Sequence, residues 1–275
     1  MKGNQQSDRL TKQQKKSKGV IGIFDKEAKI HDQKVYKNSE EIIKILEEEY
    51  PQLTFRYRHY LYKREINEVL HSIDKELGKT LFIDNAKIIP DGGLVEVKDD
   101  NGNWRVVVVS EAKFQGKDID NIKAGIKVGK HKDQDLMIAG NAIERAHKNV
   151  HEIANYMLKE NYFPYILFLE GSNFMTHNID ITRPDGTNYT LKYTALNRID
   201  RLTASNYGMP INTNLCENKF ISCNNRTIML QAASIYTRGD GSHWSNDDMI
   251  DVMLDIAHTS LKMLGKDLFD QLSSK

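Results

Sequence analysis

Long apolar runs are absent from this 275-residue sequence, and none approaches the roughly 20 residues that a helix needs to cross a bilayer. The N-terminus carries charges without the apolar stretch of a secretory signal peptide. Cysteine is scarce: Cys216 and Cys223 are the two in the chain, and no second closely spaced pair accompanies them. The sequence therefore predicts no membrane contact, disulfide framework or structural zinc site, and it suits a reducing cytoplasm.

An excess of either charge is also absent, since 39 basic residues face 38 acidic ones and the formal net charge is +1. A chain that binds DNA through a basic cleft and a metal ion through an acidic cluster can have a net charge near zero, because the positive and negative charges cancel. Net charge therefore excludes no such function. The hydrophobic share of 39% is large enough for a real core.

The first 18 residues have a composition of their own. Six of them are basic and one is acidic, and glutamine, serine and glycine fill most of the gaps. This composition predicts a flexible basic arm that lies along DNA phosphates and adds salt-dependent affinity, with a solubilising tail as an equal alternative. No internal repeat or linker divides the rest of the chain, so residues 19–275 are predicted to form a single domain.

Helices and strands are interleaved along the chain. Apolar periodicity predicts helices over residues 39–50, 63–77, 134–160, 194–206 and 247–272. Strand signals cover residues 80–83, 93–98, 104–112, 165–169 and 227–236. This order predicts an α/β fold with a mixed sheet and helices on both faces. The polar stretch 171–193 is predicted to be a long connection with a functional or interface role.

One β-hairpin carries the chemistry, with Asn101-Gly102 as its turn signal. A two-residue turn makes the numbers of paired residues sum to 203, and a four-residue loop makes them sum to 201. Asp91 then faces Ala112 in the first case and Ser110 in the second, so both registers bring it within one residue of Glu111. The two carboxylates are therefore expected to meet at the open end of the hairpin.

Lys113 joins these two carboxylates, because Glu111 and Lys113 are two apart on one strand and point to the same face. Two carboxylates suit Mg²⁺, which takes oxygen ligands, and an ammonium group beside them can orient an attacking water. The alternative is a surface hairpin with a solvated Glu/Lys pair. The four valines at 106–109 favour the functional interpretation, because they carry Glu111 out of a strand that must be buried.

Pro90-Asp91 together with Glu111-Ala112-Lys113 resembles the signature of the PD-(D/E)xK nucleases. Six segments extend the resemblance, in order and along essentially the whole chain, to the EcoRI-like restriction endonucleases within that family. They are residues 19–24, 50–53, 90–93, 141–145, 168–173 and 206–212.

The resemblance implies a five-stranded, restriction-endonuclease-like core and a homodimer that grips a palindromic DNA duplex. Each subunit would cut one strand, with Asp91 and Glu111 holding Mg²⁺ and Lys113 helping to activate water. The products would carry 5′-phosphates on single-stranded 5′ ends, and the implied site is GAATTC or one that shares its AATT centre. The alternatives are a non-specific or repair nuclease of the same fold and a non-catalytic, sequence-specific DNA-binding protein.

The resemblance also implies a recognition segment at residues 137–145. Its candidate DNA-binding residues are Met137, Ile138, Ala139, Gly140, Asn141, Ala142, Glu144 and Arg145. Asparagine can pair with an adenine edge, alanine can contact a thymine methyl group, and glycine lets the backbone approach the bases. The alternative is a plain helix start, with Asn141 as its cap and Arg145 on its outer face.

Two arginines and two lysines are further candidates for DNA contact. Arg198 and Arg201 are three apart on one predicted helix face, where a solvated pair is the alternative, and Lys117 and Lys130 are weaker candidates for phosphate contacts. Two positions depart from the family pattern. His59 stands where an acidic residue is expected beside the metal site, and Ile138 stands where a small alanine is expected, which puts the outer base pair of the recognition site in doubt.

Overall fold

The computed structural model describes residues 26–79, 85–126, 140–194 and 198–265. Their centre is a five-stranded sheet of β1 (Phe55–Arg58), β4 (Leu94–Lys98), β5 (Trp104–Phe114), β6 (Tyr165–Glu170) and β11 (Ser234–Thr237), which lie side by side in that order. Strand β4 is antiparallel to both of its neighbours, β1 and β5, and β5, β6 and β11 are parallel. The prediction of an α/β fold with a mixed five-stranded sheet is confirmed.

Helices cover both faces of this sheet. They are α1 (Lys26–Glu49), α2 (Lys63–Ile73), α3 (Asp118–Lys123), α4 (Gly140–Tyr156), α5 (Ile199–Ser205) and α6 (Asn246–Met263). The first and last of these pack on β5, whereas Ala146 of α4 joins Leu167 and Ile235 in a cluster on the opposite face. All six residues of β6 are buried, as expected for a parallel strand with both faces covered.

The first helix begins earlier than the sequence predicts, at Lys26 instead of residue 39. Ser39 was expected to open the helix, and that prediction is wrong. Its hydroxyl lies inside the helix and donates to the carbonyl of Val35, four residues earlier, or to the carbonyl of Gly92 at 2.8 Å. A serine in this position looks like a helix start in sequence, but here it joins α1 to the loop that precedes β4.

The predicted strand over residues 227–236 is in fact two strands with different surroundings. β10 (Arg226–Leu230) pairs with β9 (Lys219–Cys223) in a hairpin outside the central sheet, and Cys223 at its end is exposed. β11 begins only at Ser234. Between them Gln231 turns inward and its side-chain amide donates to the carbonyl of Met157. The run of strand-forming residues therefore passes from the surface into the core, and it breaks there.

The stretch 171–193 is not a bare connection, because it contains the hairpin β7 (Ile179–Thr182) and β8 (Asn188–Leu191). Ile181 and Leu191 of this hairpin are buried with Ile122 and Met175 in a small separate cluster. The short strands β2 (Leu61–Tyr62) and β3 (Lys87–Ile88) form a further pair.

Helices α2, α4, α5 and α6 lie where the sequence predicts helices, and each ends before its predicted end. The short helix α3 has no counterpart among the predicted helices. The strand predicted over residues 80–83 and the division into an arm at 1–18 and a domain at 19–275 cannot be compared, because residues 1–25 and 80–84 lie outside the described residues. No helix in the described ranges is long and apolar enough to cross a membrane.

Candidate active site at the open end of a hairpin

The hairpin β4–β5 follows neither of the two turns that the sequence left open. Lys98 pairs with Trp104, so the loop has five residues and the paired numbers sum to 202 near the turn. A β-bulge then passes over Val107, and Leu94 pairs with Val109, which restores the sum of 203 at the open end. The extra residue bends the strand and sets which side chains face the site.

The loop that carries Asp91 is held by hydrogen bonds to β5 and to α1. The amide of Gly92 donates to the carbonyl of Ser110 at 2.9 Å, and the hydroxyl of Ser39 donates to the carbonyl of Gly92. Gly92 has no room for a side chain, because a Cβ there would lie 2.0 Å from the Oγ of Ser110. Gly93 has a φ of +69°, a conformation that favours glycine. The Asp-Gly-Gly sequence is therefore what this tight approach requires.

Asp91, Glu111 and Lys113 converge as the hairpin argument predicts. The Nζ of Lys113 lies 2.6 Å from Oδ2 of Asp91 and 2.7 Å from Oε1 of Glu111. It also donates to the carbonyl of Ala112 at 2.9 Å. The backbone amide of Ala112 donates to Oδ2 of Asp91, which places Asp91 opposite Ala112, as the register sum of 203 requires.

Burial sets the electrostatics of this group. The side chain of Glu111 is 1% exposed, and this burial raises the pKa of its carboxyl against the opposing effect of the Lys113 ammonium. Burial alone would lower the pKa of Lys113, but the carboxylates of Glu111 and Asp91 outweigh it and raise that pKa. Lys113 therefore keeps its charge at neutral pH and acts as a hydrogen-bond donor.

The second oxygen of Glu111 has two donors that sequence reasoning missed. Oε2 accepts from Nδ2 of Asn149 at 2.9 Å and from the hydroxyl of Tyr165. Tyr165 is fully buried, and burial beside Glu111 raises its pKa well above the usual value. One signal for it exists in the sequence: it is a polar group at the start of an otherwise apolar buried strand, where a partner is needed. No comparable signal marks Asn149.

The arrangement fits a divalent metal ion by the chemistry of its donors. Oxygens of Asp91 and Glu111 and the carbonyl of Ala112 already surround one cation, the Lys113 ammonium. Within the described ranges no group of three or more histidine, cysteine, aspartate or glutamate side chains could hold a metal. Two carboxylates nevertheless match Mg²⁺, which keeps waters and substrate phosphate oxygens as its other ligands.

The recognition segment is described only in part. Met137, Ile138 and Ala139 lie outside the described residues, as does Lys130. Gly140, Asn141 and Ala142 form the beginning of α4, and Glu144 and Arg145 are exposed on its next turn.

Arg198 and Arg201 do not form the solvated pair that their spacing allowed. Arg198 precedes α5 as its N-cap and is 4% exposed, whereas Arg201 is exposed on the helix. The Nε and Nη1 atoms of Arg198 have no hydrogen-bond acceptor in the part of the chain that the structure describes. Buried donors of this kind need a partner, and the described residues supply none for these two atoms of Arg198. Lys117 is half-buried and precedes α3.

His59 lies near the Asp91 loop and is exposed. Its Nδ1 is 3.3 Å from the hydroxyl of Tyr57. The ring of Tyr57 packs against Gly93, where a Cβ would lie 2.5 Å from that hydroxyl. His59 is therefore linked to the loop that carries Asp91 through one aromatic side chain, that of Tyr57.

Known proteins resemble this chain over nearly its whole length. The sequence profile of the family described as Restriction endonuclease EcoRI matches residues 17–271. The chain is 62% identical over 277 aligned positions to the type II restriction enzyme EcoRI of Escherichia coli, with all of both chains covered. It is 46% identical over 269 positions to the type II restriction enzyme RsrI of Cereibacter sphaeroides, with 97% of this chain and 96% of the relative covered.

Proposed function

We propose that this chain, which belongs to the EcoRI restriction endonuclease family, cuts both strands of a palindromic DNA duplex in a magnesium-dependent reaction. It is a type II restriction enzyme homologue. The proposed site is GAATTC or one with the same AATT centre, and the proposed products carry 5′-phosphates on single-stranded 5′ ends. Two copies of the chain form the working homodimer, and each cuts one strand. We place it in the bacterial cytoplasm, which its two free cysteines support.

The observation that carries the proposal is the contact of one ammonium with two carboxylates at the edge of the sheet. The carboxylates of Asp91 and Glu111 would hold Mg²⁺. When bound, the ion would offset charge on the scissile phosphate and lower the pKa of a water. Lys113 stays protonated and donates hydrogen bonds, so it orients the attacking water and stabilises the charge that develops on the phosphate.

DNA recognition is assigned to the N-termini of α4 and α5. Asn141 and Ala142 at the start of α4, with Met137, Ile138 and Ala139 before them, would contact base edges, and Gly140 would allow close approach. Glu144 and Arg145 would support them. The Nε and Nη1 donors of Arg198, which have no acceptor among the described residues, support a contact with DNA near α5. Arg201, Lys117 and Lys130 are assigned to backbone phosphates.

The test is digestion of long, mixed-sequence DNA in Mg²⁺, followed by sequencing of the ends. The proposal requires discrete fragments with identical four-base 5′ ends. A smear would instead identify a non-specific nuclease of the same fold. Binding in Ca²⁺ without cleavage in Mg²⁺ would identify a DNA-binding protein without catalysis. The sequence of the ends also decides the outer base pair, where Ile138 departs from the family pattern.

A further inference from the structure

Two donors from different parts of the fold fix the orientation of the Glu111 carboxylate. Oε2 accepts from Asn149 at 2.9 Å and from the Tyr165 hydroxyl, and Oε1 faces Lys113 and Asp91. The two oxygens belong to one planar group, so whatever holds Oε2 also aims Oε1. Loss of either donor lets the group rotate about its terminal bond, and Oε1 then leaves the position that it shares with Asp91.

The two donors move with different elements. Tyr165 is the first residue of β6 and is paired with Val109 of β5, so it moves with the sheet that carries Glu111. Asn149 belongs to α4, four residues after Arg145 and eight after Asn141. This spacing puts the three positions on one face of the helix. At 1.5 Å per residue, Asn149 lies about 12 Å along the axis from Asn141.

We propose that Asn149 is a positioning residue that couples base recognition to cleavage, and this inference rests on the proposed function. When α4 binds the correct bases, its later turns hold the Asn149 amide in hydrogen-bonding contact with Oε2 of Glu111. Oε1 of the same carboxylate then faces the proposed metal position. On a site with one wrong base pair the helix seats differently, the amide withdraws and Glu111 is misaligned. The hydrogen bond from Asn149 to Glu111 therefore makes cleavage depend on correct base recognition.

The experiment compares Asn149→Ala with the wild type in single-turnover cleavage of the cognate duplex and of a duplex with one altered base pair. A hydrogen bond to a charged group accounts for a rate factor of about ten to a hundred. Asn149→Ala should therefore lower the cognate rate about ten- to a hundredfold and the near-cognate rate by a smaller factor. The ratio of the two rates should therefore fall, by less than the factor that the cognate rate loses, with cognate affinity in Ca²⁺ changed less than about twofold.

Tyr165→Phe is the matched control, because it removes the other donor to the same oxygen. Tyr165 does not belong to the recognition helix, so this variant should lower both rates by the same factor and leave their ratio unchanged. Asn149→Gln keeps an amide on the same helix face, and it should restore part of the ratio. Thermal unfolding of each variant, followed by circular dichroism, measures how much of each variant is folded.

The outcomes separate this inference from the proposed function. If the wild type cuts no specific sequence, the proposed function fails. If the wild type cuts specifically but Asn149→Ala lowers both rates equally, or changes neither, Asn149 does not couple recognition to cleavage. A large loss of cognate affinity in Ca²⁺ would also overturn the inference, because it would make Asn149 a direct DNA contact. A fall in the ratio that Tyr165→Phe does not reproduce supports it.

Discussion

Glu111 brings a carboxylate into a region that solvent hardly reaches. A buried charge without partners is costly, and here Lys113, Asn149 and Tyr165 compensate for it. The charges of Asp91, Glu111 and Lys113 compensate one another. Removal of Lys113 alone would leave the two carboxylates facing each other without a cation between them. The charge on Lys113 therefore serves the folded state as well as the proposed chemistry.

Substitution of Glu111 should separate binding from cleavage. Glu111→Ala removes one proposed metal ligand, so cleavage should fall by about a thousandfold or more, since positioned groups of this kind supply factors of that size. Affinity for the cognate duplex, measured in Ca²⁺ by fluorescence anisotropy, should persist. Glu41→Ala is the control, because Glu41 is an exposed acid paired with Lys44 on α1. Normal cleavage by Glu111→Ala would show that the site is assigned to the wrong residue.

At the residue scale the sequence predicts what lies within one hairpin and little beyond it. The convergence of Asp91, Glu111 and Lys113 follows from strand alternation and register alone. The donors Asn149 and Tyr165 come from a helix and from a parallel strand, which sequence spacing does not relate to Glu111. The burial of Arg198 was missed for the same reason, since it depends on how α5 packs and not on its own periodicity.

The hairpin β4–β5 is the element on which the site depends. Its bulge at Val107 shifts the register by one residue and brings Asp91 opposite Ala112. The loop before β4 is then held against α1 by Ser39. Helix, loop and strand are therefore held together next to Asp91, the proposed metal ligand, which suits a site that must be rigid.

A methyl group at Gly92 should disturb the packing of α1, the Asp91 loop and β5 against one another. In Gly92→Ala the added Cβ meets Oγ of Ser110 at 2.0 Å and Cγ1 of Val35 at 2.5 Å. Overpacking of this kind costs about 1–3 kcal/mol of unfolding free energy, and displacement of Asp91 should also lower the cleavage rate. Gly186→Ala is the control: Gly186 lies in open space with a φ of +81°, so only local strain of about 1 kcal/mol is expected. Urea unfolding measures the loss of unfolding free energy, and a cleavage assay measures the loss of rate. Equal losses in Gly92→Ala and Gly186→Ala would contradict the prediction.

At the element scale the sequence predicts the existence of elements better than their ends. The strands β5 and β6 are easily recognised in the sequence, because both are buried on two faces and therefore consist of nearly continuous apolar residues. The start of α1 was missed because a serine that bonds across to Gly92 looks like a helix cap. The break before β11 was missed because strand propensity continues through it, and only packing of Gln231 against Met157 interrupts it.

The whole molecule combines near-neutral charge with a proposed polyanionic substrate. The positive charges of the arginines and lysines proposed to contact DNA are offset in the total by carboxylates elsewhere, including Asp91 and Glu111 at the proposed metal position. Net charge therefore gives no indication of DNA binding. The fold class, in contrast, follows from the alternation of helices and strands along the sequence. The family resemblance supplied the strand number and the proposed substrate, which no count of residues could give.

DNA affinity should consequently depend steeply on salt despite the net charge of +1. A complex with about six phosphate contacts loses roughly a thousandfold in affinity between about 50 and 200 mM salt. Arg201→Gln should reduce the slope of log affinity against log salt by about 1 per subunit. Lys79→Gln is the control, because Lys79 is an exposed lysine already paired with Glu76. A slope unchanged by Arg201→Gln would remove Arg201 from the phosphate contacts.

The exposed hairpin β9–β10 has a practical consequence. Burial raises the pKa of the Cys216 thiol to about 12, which keeps it protonated and shielded, whereas Cys223 is open to solvent beside the hairpin turn. The natural chain thus offers one addressable thiol on a projecting ribbon. A fluorophore attached there, without any mutation, gives each subunit of the proposed dimer a single label from which intersubunit distances can be followed as the duplex is bound and cut.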